Sequence, residues 1–277
     1  MTPSARQAEL VRRLAHDATA GGSIAVVEWV EECGSTNTIL GDRARAGERR
    51  SCILVTDSQT AGRGRLDRRW VTPPGTAFTG SLLVPATIGT DLLGLVPVVA
   101  GLAVLDTMAS LGVASGVVRL KWPNDVIVAP EGRKLAGILC EATSGMVVIG
   151  IGLNVTRPQH VPDVLAERAA WIAELPGSAV VPPAMAEVAA VLLVALLERL
   201  GQLGSEPAAI VAAQRRACAT IGQRVRVELP ASSWTGRAVD VDDRGHLLVV
   251  RDSTTTPTTV RAGDVVHLRE IDEASAP

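Results

Sequence analysis

Residues 117–154 read VVRLKWPNDVIVAPEGRKLAGILCEATSGMVVIGIGLN, and this stretch decides the fold. Three apolar runs, Val117–Leu120, Lys134–Glu141 and Met146–Leu153, have the length and composition of strands. Val126–Val128 and the turn Pro130-Glu131-Gly132-Arg133 predict a hairpin that folds Lys134 back toward Asp125. Pro123 cannot donate to a ladder, so Lys121-Trp122-Pro123-Asn124-Asp125 ends its strand and projects a cation, a carboxamide and a carboxylate from one strand end. The same string also suits a turn in which Asn124 and Asp125 cap local backbone. Gly150-Ile151-Gly152-Leu153-Asn154 likewise suits a buried strand on which another element packs closely.

Working toward the N-terminus, Ser4–Ala18 carries apolar residues at helical spacing, Ile24–Glu31 reads as a strand, and Ser35 is placed to cap a helix over Asn37–Ala46. A strand at Cys52–Thr56 leads into Asp57–Gly75, which has no periodicity and is expected to be a long loop. Phe78–Val84 is a predicted strand and Leu92–Leu111 a long buried helix. Beyond residue 154, Ala184–Leu203 and Pro207–Ala217 are predicted helices. After Ile221 the texture changes to short alternating strands, Arg224–Leu229, Trp234–Val241, Leu247–Arg251, Thr258–Arg261 and Val265–Leu268. These predict a barrel of about 50 residues in the SH3-like size class. The expectation is therefore an α+β domain over residues 1–221, built on a mixed sheet flanked by helices, and an SH3-like β-barrel over 222–277.

The 277 residues suffice for a substantial core, and 47% are hydrophobic against a net charge of -2. No domain-scale basic excess points to nucleic acid. The longest apolar run, Val188–Leu197, is about half a membrane span and is expected to be a buried helix. No signal peptide is visible, and four cysteines without C-x-x-C pairing predict a reducing cytoplasm and no structural zinc. Of the 27 Lys+Arg residues only Lys121 and Lys134 are lysine, and only Asn37, Asn124 and Asn154 are asparagine. A composition drained of A/T-rich codons has kept these five in motif-like strings, where an ammonium or a carboxamide is hard to replace.

Gln59-Thr60-Ala61-Gly62-Arg63-Gly64-Arg65-Leu66-Asp67-Arg68-Arg69-Trp70 concentrates four arginines and two glycines. Glycine lets backbone N–H groups approach an anion, and guanidinium forks grip phosphate oxygens at two points, so the segment is a candidate nucleotide-handling loop. A solvated Gly-Arg loop or an RNA-contacting segment would look similar. It is neither a P-loop nor a dinucleotide fingerprint. Trp70 could stack on a base or simply pack.

Taken together, Gly62-Arg63-Gly64-Arg65, Arg68, Trp70, Lys121-Trp122-Pro123-Asn124-Asp125, Lys134-Leu135-Ala136-Gly137-Ile138-Leu139 and Gly152-Leu153-Asn154 closely resemble the biotin protein ligase family, in order and spacing, over Val30 to Leu268. The resemblance implies activation of biotin with ATP to biotinyl-5'-AMP, and transfer of biotin to a lysine of a biotin carboxyl carrier protein or carboxylase domain. Ser35, Thr36, Asn37 and Gln59 would contact biotin, the polar groups meeting its ureido ring. Arg63, Gly64 and Arg65 would lie over the biotin carboxylate and the α-phosphate, with Lys134 and Arg65 as the catalytic pair. Arg63, Arg65, Arg68, Trp70, Asn124 and Asn154 would hold the nucleotide, and Lys121 and Asp125 would support the phosphate and Mg²⁺ region without an assigned metal ligand. The loop would order when ligand binds. Thr76-Ala77-Phe78-Thr79-Gly80-Ser81 departs from the pattern, with Thr79 and Gly80 where relatives carry larger apolar residues. Cofactors would be ATP and Mg²⁺, with no nucleic acid or membrane partner.

Two other functions compete. A lipoate- or octanoate-transferring ligase would need a long, narrow pocket, which Ser35-Thr36-Asn37 with Gln59 disfavours. A bifunctional ligase-repressor would need a winged helix of roughly 60 residues before the catalytic strands. Only 23 residues precede Ile24, so repression is not expected.

Overall fold

The computed structural model describes residues 3–18, 24–87, 89, 91–161, 163–177, 184–229, 232–261 and 264–267. The end of the strand expected at Leu268 lies outside them. Strands β1 (Val26–Cys33), β2 (Cys52–Gln59), β3 (Ala77–Pro85), β4 (Val118–Lys121), β5 (Asp125–Val128), β6 (Arg133–Thr143) and β7 (Met146–Asn154) form one sheet in the order β1-β2-β3-β7-β6-β5-β4. β1 and β2 run parallel across helix α2 (Thr36–Arg45), and the remaining pairs are antiparallel, so the sheet is mixed.

β7 shows how the sequence sets the two faces. Side chains alternate along a strand, so Val147, Ile149, Ile151 and Leu153 face one way and Met146, Val148, Gly150 and Gly152 the other. The first set enters the large core, where α3 (Val96–Ser110) and α5 (Met185–Ser205) pack. Both helical stretches are long and apolar enough by composition to cross a membrane, but their apolar residues fill this core. Pro97 near the start of α3 explains why the helix expected from Leu92 begins later, behind the 3-10 turn Leu93–Leu95. α1 (Pro3–Ala18) lies against α5. The second face carries a smaller cluster, with Leu40 and Ala44 of α2 on Cys52, Leu54, Leu83, Met146 and Val148. α2 covers only part of that face, and its first turn reaches the glycines of β7 at Gly150. β6 and β7 are joined by Ser144 and Gly145, both at positive φ, which matches the twist of a two-residue hairpin.

A short helix, α4 (Asp163–Ala166), and α6 (Pro207–Ala217) complete the larger unit. β8 (Arg224–Leu229), β9 (Ser232–Val241), β10 (Leu247–Arg251), β11 (Pro257–Val260) and β12 (Asp264–His267) form a second, antiparallel sheet in the order β11-β10-β9-β8-β12. Its inward residues, among them Val225, Val227, Ala238 and Val249, join the same core as α3 and α5. The joint is specific. The Gly245 carbonyl, in the β9–β10 turn, accepts the Trp122 indole N–H at 3.0 Å and the Gln214 amide at 3.3 Å. A Cβ at Gly245 would stand 2.8 Å from Leu95. Trp122→Phe, which removes one of these two donors while keeping most of the apolar volume, is expected to destabilise the protein by about 1 kcal/mol, read as a lower urea midpoint. An unchanged midpoint would show that the Trp122 bond carries no net stability.

Two further differences from expectation bear on the site. β2 continues to Gln59 rather than stopping at Thr56, because it stays paired with β1 through Cys33↔Gln59. The strand end at Asp125 is itself paired, Lys121↔Asp125, so the Trp122-Pro123-Asn124 segment is a tight connection between β4 and β5.

Candidate active site

A cavity of about 140 Å³ opens where α2 leaves the second face of the sheet uncovered. One end is built by the first turn of α2. Ser35, in extended conformation, caps the helix by accepting from the Thr38 N–H at 3.5 Å, and this holds Thr36 and Asn37 buried against the sheet. The Gln59 side-chain oxygen accepts the Thr36 N–H at 2.8 Å. Gly150 lies directly beneath Asn37; a Cβ there would collide with the Asn37 carboxamide oxygen. Ser35, Thr36, Asn37 and Gln59 therefore line one pocket wall together, and Thr79 and Gly80, the departure noted in the sequence, line it as well.

The arginine segment forms a second wall. It is a hairpin rather than the aperiodic loop expected: Arg63 and Arg69 form a bridge, the Gly64 N–H donates to Arg68 at 2.7 Å, and the Trp70 N–H donates to Gly62 at 3.1 Å. Gly62 and Gly64 permit this because the opposite backbone approaches within the space of a Cβ. The tip, Arg65-Leu66-Asp67-Arg68, holds Leu66 at φ 53 and Asp67 at φ 58, with the Arg68 N–H on the Arg65 carbonyl at 3.1 Å. Left-handed backbone at two non-glycine residues costs roughly 1–2 kcal/mol each, so the tip is strained. The double substitution Leu66→Asn, Asp67→Gly, which supplies residues suited to that turn, is expected to slow tryptic cleavage after Arg63–Arg69 without ligand. Cleavage at the parent rate would mean that tip strain does not govern opening of the hairpin.

Cations reach the cavity from the hairpin and from β6. Arg65 donates to the Asn124 carboxamide oxygen at 3.3 Å, and Asn124 donates in turn to the Ile138 carbonyl at 2.8 Å. Lys134 Nζ sits 2.6 Å from an Asp125 carboxylate oxygen and 5.7 Å from the Trp70 ring centre. The predicted return of Lys134 toward Asp125 is thus met in the structure. Trp70 lies flat over the sheet because Gly137 and Gly152, paired across β6 and β7, leave room for its ring. Its indole N–H is buried with no acceptor among the described residues, a donor that a ligand atom can satisfy. Arg63, Gly64, Arg68, Asn124, Asp125 and Lys134 all line the cavity.

Two predicted site residues lie elsewhere. Lys121 is on the outermost strand and faces a small cleft beside Trp122 and Gln214. His267 of β12 has its pKa pushed down to about 4, mainly by burial and then by the Lys121 charge. Asn154 is buried and turned into the backbone, its amide donating to the Lys134 and Ala170 carbonyls at 3.3 and 3.1 Å. It braces the backbone of the strand that carries Lys134. Conversely, the sequence reading missed Ser81 and Glu141. Ser81 Oγ is 2.7 Å from Thr36 Oγ1 and 2.6 Å from Asn37 Oδ1. Glu141 takes the Arg63 guanidinium at 2.9 and 3.1 Å and the Asn37 amide at 2.9 Å. Their only sequence signal is a polar residue in an otherwise apolar strand.

Among the described residues no cluster of three or more His, Cys, Asp or Glu side chains is placed to hold a metal. The one carboxylate on the cavity wall is Asp125, which suits an ion arriving on substrate phosphates better than a dedicated protein cage.

The chain is similar to known proteins over most of its length. Residues 30–154 match the Biotin/lipoate A/B protein ligase family and residues 220–268 the Biotin protein ligase C terminal domain. The biotin–[acetyl-CoA-carboxylase] ligase of Mycobacterium tuberculosis is 38% identical over 260 residues, 90% of this chain and 92% of that protein. The bifunctional ligase/repressor BirA of Bacillus subtilis is 28% identical over 78% of this chain and 66% of its own length. The solved biotin protein ligase of Aquifex aeolicus in complex with biotin and ATP superposes with a TM-score of 0.74 at 26% identity, covering 88% of this chain and 99% of that one. With the match to the Mycobacterium tuberculosis ligase running nearly end to end, the chain belongs to the biotin protein ligase family.

Proposed function

We infer that this protein activates biotin with ATP, forming biotinyl-5'-AMP and pyrophosphate, and then transfers the biotinyl group to a lysine of a biotin carboxyl carrier protein or domain. The observation that carries this is the two-ended cavity. Hydrogen-bonding side chains of α2 and β2 line one part, and Arg65, Arg68, Trp70 and Lys134 line the rest, with Lys134 Nζ 5.7 Å from the Trp70 ring centre. A bicyclic urea with a carboxylate tail has that same division.

The chemistry follows from charge. A carboxylate oxygen attacking the α-phosphorus brings two anions together, and cations fixed before the reaction neutralise the pair without reorganising. Lys134 supplies a compact charge at the bond being made, and the Asp125 contact holds it there. Arg63 and Arg65, on the hairpin over the cavity, are placed to cover the mixed anhydride and keep water from it. In the second step the carrier amine attacks the acyl carbon, AMP leaves, and the amine loses a proton. Mg²⁺ would enter with the ATP phosphates and offset their charge, with Asp125 the nearest carboxylate and Lys121 and Asn154 supporting from outside the cavity.

Biotin-dependent exchange of pyrophosphate into ATP, with lipoate and octanoate as controls, followed by incorporation into a carrier domain, tests the assignment. Exchange with biotin alone is expected. Exchange driven equally by octanoate would move the protein to the lipoate branch of the family.

A further inference from the structure

An asparagine side chain has nearly the same shape either way round, so its neighbours decide which end meets a ligand. The Asn37 amide nitrogen lies 2.9 Å from Oε2 of Glu141 and 3.1 Å from the Leu139 carbonyl. Both partners only accept, so both amide protons are committed and Oδ1 points the other way, to Ser81 at 2.6 Å. Ser81 has one proton. Donated to Asn37, it leaves the Ser81 oxygen, 2.7 Å from Thr36 Oγ1, to accept the Thr36 proton in preference to Gln59 Oε1 at 3.2 Å, since two short O···O contacts need two protons, and the Thr36 lone pairs remain for the cavity. The polar end of the pocket is thereby an array of acceptors, Asn37 Oδ1 and Thr36 Oγ1, set by the Glu141 carboxylate together with the Leu139 carbonyl at the start of the relay. Glu141 cannot rotate away, because Arg63 grips both of its oxygens at 2.9 and 3.1 Å.

We propose that Glu141 is a specificity-determining positioning residue: its acceptor-only carboxylate fixes the polarity of the Asn37 amide, so that the pocket reads the N–H donors of a cyclic urea. This deepens the assignment of biotin as substrate and rests on it. Glu141 touches no substrate in this scheme and acts through Asn37. Glu141→Gln places an amide where the carboxylate was, which can donate to Asn37 and let its carboxamide turn over. The change also loosens Arg63, and the readout is therefore a ratio between two ligands that differ only in one ureido N–H.

The experiment is calorimetric titration of the full-length protein with biotin and with biotin methylated on a ureido nitrogen, which lacks one donor. Wild-type protein is expected to favour biotin by on the order of a hundredfold, as sites built to pair a ligand N–H do. Glu141→Gln is expected to shrink that ratio by roughly tenfold or more, and Glu141→Asp, which restores an acceptor-only group, to recover part of it. An unchanged ratio in Glu141→Gln, even with both affinities weakened, overturns the proposal, as does equal loss in the Gln and Asp variants. If Glu141→Gln melts out, Glu141→Ala, which removes the acceptor without adding a donor, must shrink the ratio in part; a retained ratio overturns the proposal. Wild-type protein that binds no biotin overturns the underlying assignment instead, which a changed ratio cannot do.

Discussion

Lys134→Arg is expected to lower adenylate formation roughly a hundredfold with no change in melting temperature, the effect of misplacing one preorganised charge at a reacting centre. Lys134 Nζ is confined between Asp125 at 2.6 Å, the Trp70 ring, and Gly137, whose Cβ position lies 3.1 Å away. A guanidinium is wider and spreads its charge over a plane, so it cannot enter this space with its charge at the same point. Stability is expected to hold because the lysine side chain remains 38% exposed and its ion pair contributes little to folding. Pyrophosphate exchange and thermal melting on one preparation decide the matter: adenylation close to wild type removes Lys134 from the reaction.

Gly150→Ala is expected to weaken biotin binding by a similar factor, roughly a hundredfold, through a different cause. The added methyl would occupy the position of Asn37 Oδ1, and Asn37 has nowhere simple to go. Its amide is held by Leu139 and Glu141, and its oxygen by Ser81. Moving it strands several buried polar groups together, so the loss exceeds that of one hydrogen bond. Isothermal titration with biotin measures it. Affinity within about threefold of wild type would mean that Asn37 can leave the floor of the pocket freely.

Much of this arrangement is legible in the chain because it follows from short-range rules. A proline that cannot join a ladder ends β4, a glycine turn sends β6 back, and Lys134 meets Asp125 as a result. The rest depends on distance in sequence. Glu141 lies 78 residues from Arg63 and 104 from Asn37, and nothing in the local pattern of β6 distinguishes it from a solvated strand residue. Ser81 is hidden for the same reason, 44 residues from Asn37. Lys121 and Asn154 show the converse. Their motifs identify them, but only the folded chain reveals that one sits on the outermost strand and that the other is turned into backbone carbonyls. The arginine segment was unreadable as a hairpin because its turn uses Leu66 and Asp67 where glycine or asparagine would announce it.

The contact of Gly245 with Trp122 also bears on how the molecule can move. Trp122 stands between the strand ends that carry Lys121 and Asp125, and its indole is pinned to a turn of the other sheet. A rocking of the small sheet would therefore be transmitted through one rigid aromatic plate to the carboxylate that steadies Lys134, with no flexible linker to absorb it. Reach toward a bulky carrier must then come from the strained hairpin, which meets this stiff segment through Arg65 and Asn124, so the molecule has one stiff jaw and one compliant one.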